Sequence, residues 1–120
     1  MARERNTMLN GLTDLLVFKI LDLQESYVYE ATNMIHNLSE ELLDVHQSTV
    51  YTVMYKLARQ GYLSVSREII EEGRSRVYYV MAAKGRERLK KLLENYDQTI
   101  TGVNNVIKNI DKMKKERGVV

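Results

Sequence analysis

HQSTVYTVMYKLARQGYL, from His46 to Leu63, decides the fold. Val50, Val53, Met54 and Leu57 recur at steps of three and four, which places them on one side of a helix. Ser48, Tyr51, Thr52 and Tyr55 repeat the same spacing on the other side. Gly61 stands where a left-handed C-terminal cap is needed, so the helix is predicted to run from about Gln47 to Gln60. A short helix with an apolar stripe and an outer face of hydroxyls is built to be held by a core while presenting donors and acceptors outward.

Downstream, Leu63, Val65, Arg67 and Ile69 alternate with Ser64, Ser66 and Glu68, and Val77, Tyr79 and Met81 alternate with Tyr78 and Val80. Between them lies Glu71-Glu72-Gly73-Arg74-Ser75, so the segment is predicted to be a hairpin with a charged tip. Tyr79 is expected to pack, whereas Tyr51 and Tyr78 are as legible as packing residues as they are as contacts. From about Ala83 to Lys115, Leu89, Leu93, Tyr96, Ile100, Val103, Ile107 and Ile110 keep heptad spacing. A helix of that span is roughly 45 Å long, more than so small a domain can cover, and a second subunit is the expected cover. Gly102 leaves its continuity open.

Upstream, Leu9, Leu12, Leu15, Leu16, Ile20 and Leu23 are predicted to form the core face of a first helix. Val28, Ala31, Met34 or Ile35, and Leu38 form a second, with Ser26 as its expected cap. Leu43-Asp44-Val45 reads as a short edge strand or a lead-in. Helix, helix, helix, hairpin is the order of a winged helix-turn-helix. The expected class is therefore mainly α with a small β-hairpin, with residues 1–82 as a nucleic-acid-binding domain and 83–120 as a dimerisation helix.

The 120 residues suffice for one compact domain and an appendage. There is no cysteine, which removes disulfides and thiolate metal chemistry and fits a reducing cytoplasm. The amino-terminal MARERNTMLN has no apolar core behind it, and no apolar run approaches a membrane span, so neither secretion nor insertion is expected. His36 and His46 are the only histidines, and neither a metal site nor a cofactor site is expected from them. No phosphate loop, nucleophile elbow or histidine–carboxylate pair is present, which argues against an enzyme. Net charge is only +2, but it is segregated. From Asp14 to Asp44 seven acids face one base, and from His46 to Lys91 ten bases face four acids, which makes the middle third a candidate polyanion face.

The run quoted above, EGRSRVYYVMAAKGRERL from Glu72 to Leu89 and YVYEA from Tyr27 to Ala31 together resemble the PadR family of bacterial transcription regulators, over nearly the whole chain. The family's serine-proline-glycine-threonine opening of the third helix is replaced here by His46-Gln47-Ser48-Thr49. Its threonine between wing and long helix is replaced by Ala82. The resemblance implies a cytoplasmic, ligand-responsive repressor, with a flat apolar aromatic effector held at the interface of a homodimer. Tyr96 and Phe18 are the candidates for that contact, with an ordinary heptad core residue the favoured reading of Tyr96.

The predicted partner is double-stranded DNA. Groove contacts are expected from Ser48, Thr49, Tyr51, Thr52, Tyr55 and Lys56, and backbone contacts from Arg74, Arg76 and Tyr78. Two rival readings fit the same pattern: an interaction module whose long helix pairs with a different protein, and a winged-helix replication or partition protein.

Overall fold

The computed structural model describes Leu9 and residues 11–118. The remainder of the amino-terminal stretch read above, and the last two residues, lie outside that range. Six elements follow in chain order. They are α1 (Thr13–Leu23), α2 (Val28–Leu38), α3 (Gln47–Arg59), β1 (Leu63–Glu71), β2 (Arg74–Met81) and α4 (Ala83–Glu116). The chain divides into two compact units, one ending at Leu89 and the other starting at Lys90.

In the first unit, α3 packs on α1, α2 and β1, and its stripe of Val50, Val53, Met54 and Leu57 is buried as the spacing predicts. α1 is rotated from its predicted phase: Val17, Phe18 and Leu21 join Leu15 and Ile20 in the core, while Leu23 is left exposed. The helix begins only at Thr13, after the left-handed Gly11, so Leu9 reaches the core from the preceding turn rather than from a helical face. Phe18 is fully buried and meets Tyr62 edge-on, with ring centroids 5.9 Å apart. It therefore has no surface left for an effector, which corrects its assignment as a ligand contact.

On α2, Ala31 and Ile35 are buried, whereas Leu38 is exposed. Tyr27 rather than Ser26 occupies the cap position, and no side chain caps the helix. Ser26 instead exchanges backbone hydrogen bonds with Tyr79, its N–H donating at 3.1 Å and its carbonyl accepting at 3.0 Å. The extra strand-like pairing of the hairpin is thus supplied by Ser26, and Leu43 to Val45 form no strand. The α2–α3 turn passes through Glu40 and Glu41, both in the left-handed region at φ 56° and 68°. Such residues cost on the order of 1 kcal/mol each and need support. Ser39 supplies it: its Oγ donates to the His36 carbonyl and accepts from the Leu43 N–H.

α3 ends in a Schellman turn. The Gly61 N–H donates to the Ala58 carbonyl and the Tyr62 N–H to the Leu57 carbonyl, with Gly61 at φ 82°. Lys84 adds a cation at this end, its Nζ donating to the Gln60 carbonyl at 3.0 Å. β1 and β2 are antiparallel and joined by Glu72 and Gly73, both at positive φ (51° and 75°), the signature of a two-residue type I′ turn. The tip is thereby shorter than predicted, because Glu71 and Arg74 are already paired. A bulge between Val65 and Arg67 breaks the strict alternation read from the sequence.

α4 runs unbroken through Gly102. Its start depends on Gly85, which is buried against the β2 end and the residue after the α3 cap. A Cβ there would collide with the Tyr62 carbonyl oxygen and lie 2.8 Å from Met81 Sδ. Alanine normally improves a helix interior by about 1 kcal/mol over glycine, but overpacking costs about 1–3 kcal/mol. Gly85→Ala is therefore expected to destabilise the fold in urea unfolding, and a stabilised variant would contradict the close approach.

Candidate nucleic-acid interface

α3 carries an outward face of Ser48, Thr49, Tyr51, Thr52 and Tyr55, all exposed. The Tyr51 and Tyr55 rings meet edge-on at 6.1 Å, and the Arg59 guanidinium lies 5.9 Å from the Tyr55 centroid. Two aromatic rings and a cation thus share one helix surface, stiffened by mutual contact. The Thr52 hydroxyl donates back to the Ser48 carbonyl at 2.9 Å, which leaves its lone pairs as an acceptor. Lys56 is placed differently from its neighbours. Its Nζ lies 2.8 Å from the Asp14 carboxylate, an ion pair that ties α3 to α1 and neutralises the charge expected to meet a phosphate.

The wing is aimed by a chain of contacts that starts in the α1–α2 turn. Because of the bulge, successive residues Ser66 and Arg67 both reach Glu25: the Ser66 Oγ donates at 2.8 Å and the Arg67 Nε at 2.9 Å. Arg67 stacks over Tyr78 at 4.0 Å. Tyr78 meets Tyr27 edge-on at 5.1 Å, and Arg76 lies over Tyr27 at 5.1 Å. Tyr78 is accordingly half-buried between a cation and a ring. Arg76 also lies 3.7 Å from Glu71, whereas Arg74 makes no salt bridge among the described residues. Tyr79 is half-buried, and its phenol is pushed up, first by burial and then by the neighbouring Tyr51 and Tyr55.

Between wing tip, α2 and α3 lies a cleft of about 680 Å³, lined among others by Tyr27, Tyr29, Gln47, Tyr51, Arg74 and Arg76. Tyr29 and Gln47 were not singled out by periodicity, since neither continues a stripe; only the wing folding back across the start of α2 and α3 makes them neighbours. Hydroxyls, a free amide and guanidinium groups around one concavity suit an anionic, hydrogen-bonding polymer. Among the described residues no group of three or more His, Cys, Asp or Glu is placed to hold a metal ion. Among the same residues no helix is long and apolar enough to cross a membrane.

In the second unit, Tyr96, Ile100, Val103, Ile107 and Ile110 are 39–55 % exposed. Val106 and Met113 share that apolar exposure, although the strict heptad omitted them. Leu93 is half-buried, and Leu89 is buried within the first unit.

The Ser66 hydrogen bond holds the Glu25 carboxyl below the usual glutamate range against desolvation, the next largest effect, and the hydrogen bond and charge of Arg67 add to the lowering. Because the folded value is depressed, the tether is intact above the ordinary glutamate range and is lost as pH falls through the folded value. The Arg67 Nε–H resonance should therefore titrate with a midpoint below that of a free glutamate, and Glu25→Gln should abolish the titration. An Arg67 signal indifferent to both would sever the chain at its first link.

The residues 17–91 match the model of the transcriptional regulator PadR-like family. A transcriptional regulator from Clostridium thermocellum is 25% identical with a TM-score of 0.75, over 82% of this chain and 96% of that one. A PadR-like transcriptional regulator from Bacillus cereus is 22% identical with a TM-score of 0.69, over 84% and 96%. Bacillus subtilis PadR, solved in complex with operator DNA, superposes with a TM-score of 0.61 at 18% identity, over 68% of this chain and 47% of that one. An uncharacterised protein of Lysinibacillus sphaericus is 21% identical over 77% of this chain and 84% of its own. With most of the first unit inside the match and the winged helix-turn-helix shared with these structures, the chain belongs to the PadR-like family of transcriptional regulators, a family of regulators and not of enzymes.

Proposed function

We propose that this regulator binds double-stranded DNA as a homodimer on a pseudopalindromic promoter site and acts as a ligand-responsive repressor. The observation that carries the reading is the split of α3 into a buried stripe and an exposed face of hydroxyls beside the arginine-bearing wing. In this reading Ser48, Thr49, Tyr51, Thr52 and Tyr55 meet the major groove, and Arg74, Arg76 and Tyr78 hold the backbone. Lys56 contributes only after leaving Asp14. The fold shared with Bacillus subtilis PadR, which was solved in complex with operator DNA, supports DNA as the partner.

The dimer follows from area. Residues 1–82 would form the DNA-binding part and 83–120 the dimerisation part. Tyr96, Ile100, Val103, Ile107 and Ile110 form an apolar stripe that a lone helix cannot bury, with the half-buried Leu93 at its start; Leu89, expected to join it, is already spent on the core of the first unit. On a pseudopalindromic site the two copies would each present an α3 helix, to major grooves about 34 Å apart. A flat apolar aromatic effector would enter at that seam beside Tyr96.

Two outcomes are expected. Arg74→Ala should weaken binding to the duplex upstream of the regulator's own gene and lower the slope of log affinity against log salt by about one, as removal of one phosphate contact does; an unchanged slope would take the wing out of the interface. In sedimentation the chain should be a dimer that Val103→Glu with Ile107→Glu converts to a monomer, and a dimer that survives both charges would place the interface elsewhere.

A further inference from the structure

Gln47 is the first residue of α3, is exposed, and lines the cleft between wing and helix next to Tyr51 and Arg74. Among the described residues its side-chain amide makes no hydrogen bond, so both donor and acceptor are unspent. Every other polar group along the exposed side of α3 is either a single hydroxyl or already engaged. Thr52 donates to its own helix, Lys56 is paired with Asp14, and Arg59 sits in the last turn over Tyr55. The first two turns contain no arginine or lysine before Lys56 and no asparagine. A recognition helix meets base edges with its N-terminal residues. A planar group with one donor and one acceptor there matches the N6 and N7 edge of adenine, whereas the O6 and N7 edge of guanine demands two donors.

We infer that Gln47 is the base-reading residue of this regulator and that it selects an adenine in each half-site. The inference rests on the DNA reading proposed above and goes beyond it by naming what is read. Tyr51, one turn along, lines a second, shallower concavity with Gln47, Ser48 and Val28. Glu25, Arg67 and the arginines of the wing set position; Gln47 sets sequence.

The test is selection of binding sites from randomised duplexes by the full-length wild type, Gln47→Ala and Gln47→Glu. The wild type should enrich a two-fold related motif with one adenine column per half-site. In Gln47→Ala that column should lose its preference while the others stay, with affinity for the wild-type site lowered by about 10- to 100-fold for each half-site. In Gln47→Glu the column should move to cytosine, whose N4 amino group donates to a carboxylate. Replacing the selected adenine by 7-deazaadenine, which lacks the N7 acceptor, should weaken the wild type and leave Gln47→Ala unaffected. The same motif from all three proteins would overturn the assignment while leaving DNA binding intact. A wild type that enriches no motif would overturn the DNA reading and this inference with it.

Discussion

Burial of Val50, Val53, Met54 and Leu57 is the constraint on which the rest depends. α3 packs on α1, α2 and β1 with that stripe buried, so four side chains fix its rotation against those three elements. Each fully buried aliphatic chain contributes roughly 2 kcal/mol, and a rotation that exposed them would forfeit most of it. With rotation fixed, the opposite face has no choice but to present Ser48, Tyr51, Thr52 and Tyr55 outward. The Schellman turn at Gly61 and the cation of Lys84 fix the far end, and the left-handed Glu40 and Glu41, supported by Ser39, fix the approach to the near one.

The wing is held by different physics. A two-stranded hairpin is marginal by itself, and this one is pinned at its base by Ser26 and Tyr79 and at its side by Glu25. The bulge converts an alternating strand into a platform on which Ser66 and Arg67 point the same way, and that single irregularity lets one carboxylate grip both. From Arg67 the contact passes through Tyr78 and Tyr27 to Arg76. Exposed ion pairs stabilise little by themselves, so the value of this chain lies in orientation: it sets where the cationic tip stands relative to Gln47 and Tyr51.

What was legible in the sequence was what periodicity encodes. α3 and its two faces, the hairpin and the long last helix follow from spacing alone because each has an uninterrupted apolar pattern. α1 was misphased because leucines recur along it at several compatible steps; Val17, Phe18 and Leu21 took the core and Leu23 was left in water. Phe18 shows the limit most plainly, since an aromatic offered as an effector contact lies fully buried in the core. Glu25, Tyr29 and Gln47 were invisible for a further reason. Their neighbours come from segments some 20 to 40 residues away, and only the bulge and the return of the wing bring them together. The departure of His46-Gln47-Ser48-Thr49 from the family turn was legible, but not that Gln47 would line the cleft.

The claim that one helix is divided between core and DNA is tested most directly by backbone NMR of the full chain during titration with the duplex upstream of its own gene. The amides of Ser48, Tyr51, Thr52 and Tyr55 and of the wing tip from Arg74 to Arg76 should shift together at one stoichiometry, while Val50 and Met54 remain protected from exchange throughout. A footprint on the acidic surfaces of α1 and α2 instead, with α3 silent, would contradict it.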